Sequence, residues 1–269
     1  MELSFLGSGS AFCLSPDNYQ SNLLLTSPGG RRLLLDCGSD ARFSLAALGL
    51  CYGDITDIYI SHLHADHVGG LEYMGFSSRF GDGGGLQNLY ISDTLVDDLW
   101  KHSLSGGMGM IEGVDAGKLS DFFVPHPVPA TGSFKWEGVE FQLVPTPHVV
   151  GDRATMYSYG LVFETDGQRV FFTSDTLFAF ERLAGCLEQA DLVFHDCETS
   201  EVPTGVHAHY RELLGLPEEI RRKTWLYHYS DGPLPDALAD GFRGFVRRGQ
   251  VFRLGREPAA LSAVRADRG

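Results

Sequence analysis

Short apolar runs broken by turn residues dominate the chain. Runs rich in Leu, Val, Ile, Phe and Tyr predict strands at Glu2–Leu6, Asn22–Thr26, Arg32–Asp36, Asp57–Ile60, Leu89–Ile91 and Val139–Val144. Five more follow at Ser158–Glu164, Arg169–Thr173, Asp191–Phe194, Thr224–Tyr227 and Gln250–Leu254. Helical patterns fall at Ala41–Leu48, Asp93–His102 and Ala208–Leu214. Asp93 has the chemistry of an N-cap, with Asp97 and Asp98 early in that helix. Pro217 suits a first helical position for a further helix at Glu218–Arg222. Strands come first in hairpin-like pairs and then alternate with helices. That order predicts an α/β fold, an αββα sandwich of two mixed sheets with helices outside. No repeat and no low-complexity linker interrupts the chain, so residues 1–269 are read as a single domain.

Composition agrees with a sheet-based fold. Hydrophobic residues make up 43% of the chain, enough for a core, and 33 Gly with 12 Pro suit many turns better than a helical bundle. Lys plus Arg is 21 against 35 for Asp plus Glu, a net charge of −14. Long nucleic acids are held by clustered cations, so no stable nucleic-acid partner is expected. A small anion differs, because the charge of a bound metal outweighs a distant surface. The five cysteines, Cys13, Cys37, Cys51, Cys186 and Cys197, are scattered with no CxxC, which reads as reduced thiols in a cytoplasmic protein. The opening MELSFLGSGS has neither a basic nor a long apolar region, and no stretch approaches the ~20 apolar residues of a membrane span.

The chemistry concentrates in SHLHADH, which places His62, His64, Asp66 and His67 directly after the apolar run Asp57–Ile60. In an extended segment, alternate residues share a side, so His62 and His64 can converge on one metal. Asp66 and His67 lie one turn further and can face a second. Neutral imidazole with carboxylate suits zinc or a similar divalent ion. Ligand-type residues then recur after apolar strands: His148 after Phe141–Val144, Asp175 after Val170–Thr173 and His228 after Thr224–Tyr227. Alone, His148 or His228 would read equally well as a core or surface histidine. With the His/Asp cluster before them, they read as ligand loops gathered where the two sheets meet. The stretch Leu6–Ala11 lacks the third glycine of a dinucleotide fingerprint and reads as a tight turn beside the site. His102 and His126 read as solvated histidines. The Gly-rich stretches Gly81–Gly85 and Gly106–Met110 read as mobile surface loops, either one placed to form a lid.

SHLHADHVGGL, PTPH, TSDT and LYH, in this order, resemble the metallo-β-lactamase fold superfamily. The opening FLGSGSAF and a lone Asp175 followed by Thr176 resemble its phosphodiesterase branch, which includes ribonuclease Z. The resemblance runs from Met1 to about Asp231. It implies that His62, His64 and His148 hold one metal, that Asp66, His67 and His228 hold another, and that Asp175 bridges them. Two divalent ions per chain are implied, zinc first, with manganese or iron as alternatives. Such ions ~3.5–4 Å apart hold a hydroxide and lower its pKa toward neutrality. That hydroxide attacks phosphorus or a carbonyl carbon, and Asp66 both ligates and orients it. The general acid for the leaving oxygen is assigned by the same resemblance to His207, with His209 a near-equal rival. HDCET at His195–Thr199 then offers Glu198 or Asp196 to orient His207.

Four readings compete: a phosphodiesterase on 3′,5′-cyclic nucleotides, a ribonuclease Z-like endonuclease, a carboxyl-ester, lactone or thioester hydrolase, and, from another class, a catalytically inactive metal-bound nucleotide-binding protein. A complete ligand set argues against the last. Ribonuclease Z enzymes carry a long basic arm between the ligands matching His148 and Asp175, whereas only 26 residues separate them here. VHAHYRELLGLPEEI and WLYHYSD resemble compact cyclic-nucleotide phosphodiesterases, including the anti-Pycsar enzymes. The reading is therefore hydrolysis of a small phosphodiester substrate, a cyclic nucleotide, to a nucleoside monophosphate by a metal-bridging hydroxide. A homodimer is expected on the same resemblance.

Overall fold

Leu23–Leu25 and Leu33–Leu35 are buried at every position, although each run is part of a strand whose side chains alternate between faces. Both faces of this sheet are therefore covered, and the sequence reads as continuous apolar runs for that reason. In the computed structural model, which describes residues 1–81 and 85–255, two seven-stranded sheets account for this burial. The first contains β1 (Glu2–Phe5), β2 (Leu23–Thr26), β3 (Arg32–Leu35), β4 (Asp57–Ile60), β5 (Gln87–Ser92) and β6 (Phe123–Val128). The second is built from β7 (Ser133–Trp136), β8 (Val139–Val150), β9 (Thr155–Thr165), β10 (Gln168–Phe172), β11 (Leu192–Asp196), β12 (Thr224–Tyr227) and β13 (Gly244–Phe245). A last strand, β14 (Val251–Arg253), returns to the first sheet beside β1. The orders are β14-β1-β2-β3-β4-β5-β6 and β13-β12-β11-β10-β9-β8-β7.

Residues alternate between two cores. Leu23, Leu25, Leu33, Leu35 and Tyr59 point between the sheets, against Phe141, Leu161, Phe163, Phe172, Phe194 and Tyr227. Leu24, Leu34, Ile58 and Ile60 point outward, under Leu45, Leu71, Met74 and Leu99 of the covering helices. Leu183, Leu187, Leu213 and Ile220 cover the second sheet in the same way. Each sheet is mixed: β3 through β6 run parallel, as do β10 through β13, and the remaining pairs are antiparallel. Parallel strands bring their C-terminal ends to one edge, which is where an α/β sheet places its chemistry.

Every expected strand is present, two of them, Asp57–Ile60 and Thr224–Tyr227, with the expected bounds. Three unexpected strands, β6, β7 and β13, lie at the ends of their sheets. Pro125 and Pro127 speak against a strand in sequence, but an edge strand has one side on which no N–H is needed. Helices at Leu71–Phe80 and Phe180–Gln189 were not anticipated. In the first, Gly75 lowers helix propensity, yet a Cβ there would stand 2.7 Å from the Met108 side chain. The expected helix at Asp93–His102 starts later, at Val96, after a turn in which Leu95 N–H donates to Ser92 O (2.9 Å). It continues with π-helical spacing over Leu99–Leu104 and then through Ser105–Met108, where Met108 is fully buried. Gly106–Met108 is thus a helix end anchored by Met108, while Gly106, Gly107 and Met110 are exposed. Most of Gly81–Gly85 lies outside the described residues. His126 is a strand residue stacked on Tyr90 and bonded to Asn88 (2.8 Å), not a solvated one. His102 is exposed, as expected. All five cysteines are free. No helix among the described residues is long and apolar enough to cross a membrane.

Candidate metal centre

The seven expected ligand residues gather at one rim of the sandwich. One residue, Ser61, separates His62 from the end of β4, and a single helical turn, Ala65–Val68, then carries Asp66 and His67. Asp175 follows β10 and His228 follows β12. His148 does not lie beyond its strand, as its sequence position implied. It is inside β8, at an irregularity where Pro147 pairs with Tyr157 and Val149 with Met156, leaving His148 as the extra residue. A bulge of this kind re-aims one side chain without ending the strand. Asp36, Ser174 and His228 adopt positive φ (62°, 53° and 65°) just past β3, β10 and β12. Left-handed backbone is rare outside glycine, and here it turns the chain sharply at three strand ends of the site. Gly38 lets the segment after Asp36 approach this turn, since a Cβ there would lie 2.1 Å from Asp66 O.

The side chains form two groups that share Asp175. His62, His64, His148 and Asp175 are one, and Asp66, His67, His228 and Asp175 the other. In the first, His64 Nδ1 stands 3.1 Å from His62 Nε2 and 3.0 Å from His148 Nε2, with Asp175 Oδ2 at 3.8 Å from each of the latter. In the second, His67 Nε2 is 3.1 Å from Asp66 Oδ2 and 3.2 Å from Asp175 Oδ2, and His228 Nε2 is 3.3 and 3.4 Å from the same oxygens. Ligands about 2.0–2.2 Å from a tetrahedral zinc stand close to such separations from one another.

The opposite ring nitrogens are already committed. His67 Nδ1–H donates to Asp36 Oδ2 (2.8 Å) and His148 Nδ1–H to Val206 O (2.8 Å). His62 Nδ1–H donates to Ser61 Oγ (3.1 Å), which donates to Asp36 Oδ2 (2.8 Å). The Nε2 lone pairs of His62 and His148 are therefore turned inward on the single His64 Nδ1, which carries at most one proton to share between them. His67 Nε2 and Asp175 Oδ1 are buried with no hydrogen-bond partner among the described residues. A cation in each group answers both problems, so the residues fit divalent metal.

Electrostatics point the same way. Burial pushes His62, His64 and His148 below the usual histidine range, which leaves them neutral and able to ligate. Burial opposes charge on His67 and His228 too, but Asp175, helped by Asp66 and by Asp36 or Asp196, outweighs it and holds both well above that range. Burial would raise Asp175; His228 and His67 outweigh it and hold the carboxyl well below the usual carboxylate range. Anionic oxygen is thus concentrated here and calls for positive charge.

Sequence reasoning missed Asp36. Its one carboxylate orients His67 directly and His62 through Ser61, so it supports one residue of each group. The signal was present, since the Asp closing the apolar run RLLLD is fully buried. Asp36→Asn is expected to weaken metal binding about 10–100-fold, as loss of a ligand's orienting partner does. Competition against a chelating dye measures this, and unchanged affinity would remove Asp36 from this role.

The two candidate acids separate cleanly. His207 stands beside both groups, its ring 4.9 Å from His148 and 4.6 Å from His228. Its Nδ1–H donates to Asp196 Oδ2 (2.8 Å), which also accepts from Thr176 N–H (2.8 Å). Burial lowers the His207 pKa, and Asp196 outweighs this and raises it. His209 is turned away: Nε2–H donates to Ser200 O (3.0 Å) and Nδ1 accepts from Arg211 N–H (3.2 Å), capping the helix Tyr210–Leu213. Glu198 does not reach His207 either. Its carboxylate is taken up by Ser200 Oγ, Thr204 N–H and Thr204 Oγ1, which close the loop before His207. Of the two acids in HDCET, Asp196 is the one beside His207.

Two seven-stranded mixed sheets with helices outside define a metallo-β-lactamase fold, with a His/Asp cluster at one rim that could hold metal. The fold matches the metallo-β-lactamase fold protein YhfI from Bacillus subtilis with a TM-score of 0.71, at 18% identity over 93% of this chain and 98% of that one. The chain belongs to the family described as anti-Pycsar protein Apyc1, whose model matches residues 1–252. It is 39% identical to the anti-Pycsar protein Apyc1 of Paenibacillus harenae, over 86% of this chain and 90% of that protein. It is 36% identical to that of Bacillus phage 010DV004, over 94% and 98%. Family and fold together make it a metal-dependent phosphodiesterase.

Proposed function

We propose that this protein hydrolyses 3′,5′-cyclic nucleotides to nucleoside monophosphates at a dinuclear centre. His62, His64 and His148 would hold one divalent ion and Asp66, His67 and His228 a second, with Asp175 shared. The observation that carries this reading is the sharing itself: one buried carboxylate belongs to both donor groups, and His207 stands beside them. When bound, the ions supply an acidified water and positive charge against the phosphate oxygens. The protein's own groups do the rest. Asp66 stands in the second donor group, 3.1 Å from His67 Nε2 and 3.3 Å from His228 Nε2, where it would both ligate and orient the attacking water. Asp196 fixes the His207 ring through Nδ1. That leaves His207 Nε2–H, which bonds no other protein atom among the described residues, to protonate the leaving ribose oxygen.

A small substrate suits the architecture. The 26 residues between His148 and Asp175 are spent on the end of β8, on β9 and on β10, which leaves no room for an RNA-binding arm. A long RNA must be held by many cations, and acidic residues here exceed basic ones by 14. A cyclic nucleotide presents one phosphate. Zinc is the metal this donor set favours, and a homodimer in the cytoplasm belongs to the same reading. The test is a panel of cyclic nucleotides, precursor tRNA, lactones and thioesters with metal-loaded protein at low and physiological salt. Cyclic nucleotides are expected to turn over with little salt dependence, with about two metal equivalents per chain by elemental analysis. Site-specific trimming of precursor tRNA, with cyclic nucleotides inert, would overturn the proposal.

A further inference from the structure

Phe12 and Leu14 are 89% and 90% exposed, the two most exposed large apolar side chains among the described residues. The backbone that carries them is not loose. Ser10 N–H donates to Tyr229 O (3.0 Å), and Cys13 N–H closes a turn on Ser10 O (3.0 Å). Gln20 Nε2–H donates to Ala11 O (3.2 Å), and Leu14 and Ser15 N–H both donate to Asp231 Oδ2 (2.7 and 3.1 Å). Tyr229 and Asp231 follow His228 in sequence, and His228 N–H itself donates to Ser8 O (2.8 Å). The segment is therefore stapled to the chain that leaves the metal-centre histidine, and Gln20, which holds Ala11, also lies against Gly38 next to Asp66, while the two apolar side chains are held out to solvent. Exposed apolar surface that is rigidly placed next to a site is surface prepared for a ligand.

We propose that Phe12 is the platform on which the substrate's nucleobase stacks, with Leu14 flanking it. This rests on the cyclic-nucleotide reading above. A nucleotide whose phosphate is held at the Asp175 centre needs a flat apolar partner for its base, and an aromatic ring supplies one for any base. Area favours the base over a second copy of the chain. One aromatic and one aliphatic side chain offer far less than the roughly 800 Å² per partner that a stable protein interface buries.

The experiment compares wild type, Phe12→Ala and Phe12→Trp on purine and pyrimidine 3′,5′-cyclic nucleotides and on a base-free ribose 3′,5′-cyclic phosphate. Phe12→Ala is expected to raise KM about 5–100-fold on cyclic nucleotides, the size of one lost base stack, with kcat little changed. Purines, with the larger face, should lose more than pyrimidines. The base-free substrate should be unaffected, and Phe12→Trp should restore KM. Because Phe12 is exposed, the variant should melt within a degree or two of wild type, consistent with a change below about 0.5 kcal/mol at such positions. Unchanged KM in Phe12→Ala, with wild type active, overturns this inference alone. Equal loss on the base-free substrate together with a change of mass in solution also overturns it, and makes Phe12 a subunit contact. A wild-type enzyme inert to every cyclic nucleotide overturns the proposed function, and this inference with it.

Discussion

Asp175→Ala is expected to lose more turnover than any other single change at the site, and to melt at a lower temperature. Asp175 is the one residue common to both donor groups, within 3.2–3.8 Å of His67, His228, His62 and His148. Its removal disturbs both groups together and takes a buried negative charge from between two histidines that it holds protonation-prone. Loss of metal-assisted charge stabilisation is worth several kcal/mol, so turnover should fall by about 10⁴-fold or more. Bound metal also stabilises the native state by mass action, so the melting temperature should fall most when wild type is compared metal-loaded. Elemental analysis and steady-state turnover on the same samples check both parts. A variant that keeps two metals and normal turnover would remove Asp175 from the bridging position.

His207→Ala is expected to lower turnover about 10²–10⁴-fold while the metals stay bound, the range for loss of general acid–base help. The loss should depend on the leaving group. A ribose alkoxide needs a proton as it departs, whereas p-nitrophenolate does not, so bis(p-nitrophenyl) phosphate should lose far less than a cyclic nucleotide. An equal penalty on both substrates would mean that His207 binds or braces rather than donates. His209→Ala serves as the contrast. Its ring caps the helix Tyr210–Leu213, so it should cost about 0.5–2 kcal/mol of stability with no leaving-group signature. Should His209→Ala show that signature instead, the two roles exchange.

The pattern of apolar runs placed the strands well, because the strand period is local. In β2 and β3, neighbouring side chains alternate between the inter-sheet core and the helix-covered face. That arrangement needs continuous Leu, and continuous Leu is readable without coordinates. Edge strands were harder. Pro125 and Pro127 are tolerable in β6 only because it ends its sheet, and nothing local announces an edge. The Leu71–Phe80 helix was hidden by Gly75, whose fit against Met108 depends on a residue 33 positions away.

At the site, the chain by itself determined the kinds of donor, their order and their position near strand ends. The cluster His62, His64, Asp66 and His67 is legible because extended chain followed by one helical turn is local geometry. Tertiary structure alone decided that His148 sits in a bulge of a longer strand, and that His64 faces the group with Nδ1 while its neighbours use Nε2. It also set the two histidines of GVHAHY apart, turning His207 to Asp196 and His209 into a helix cap. The reason is distance along the chain. His228 meets Asp66 across 162 residues, and His67 meets Asp36 across 31. Local propensity carries no information about such pairs; they form only when the two sheets close on their shared core and bring the strand ends to one rim.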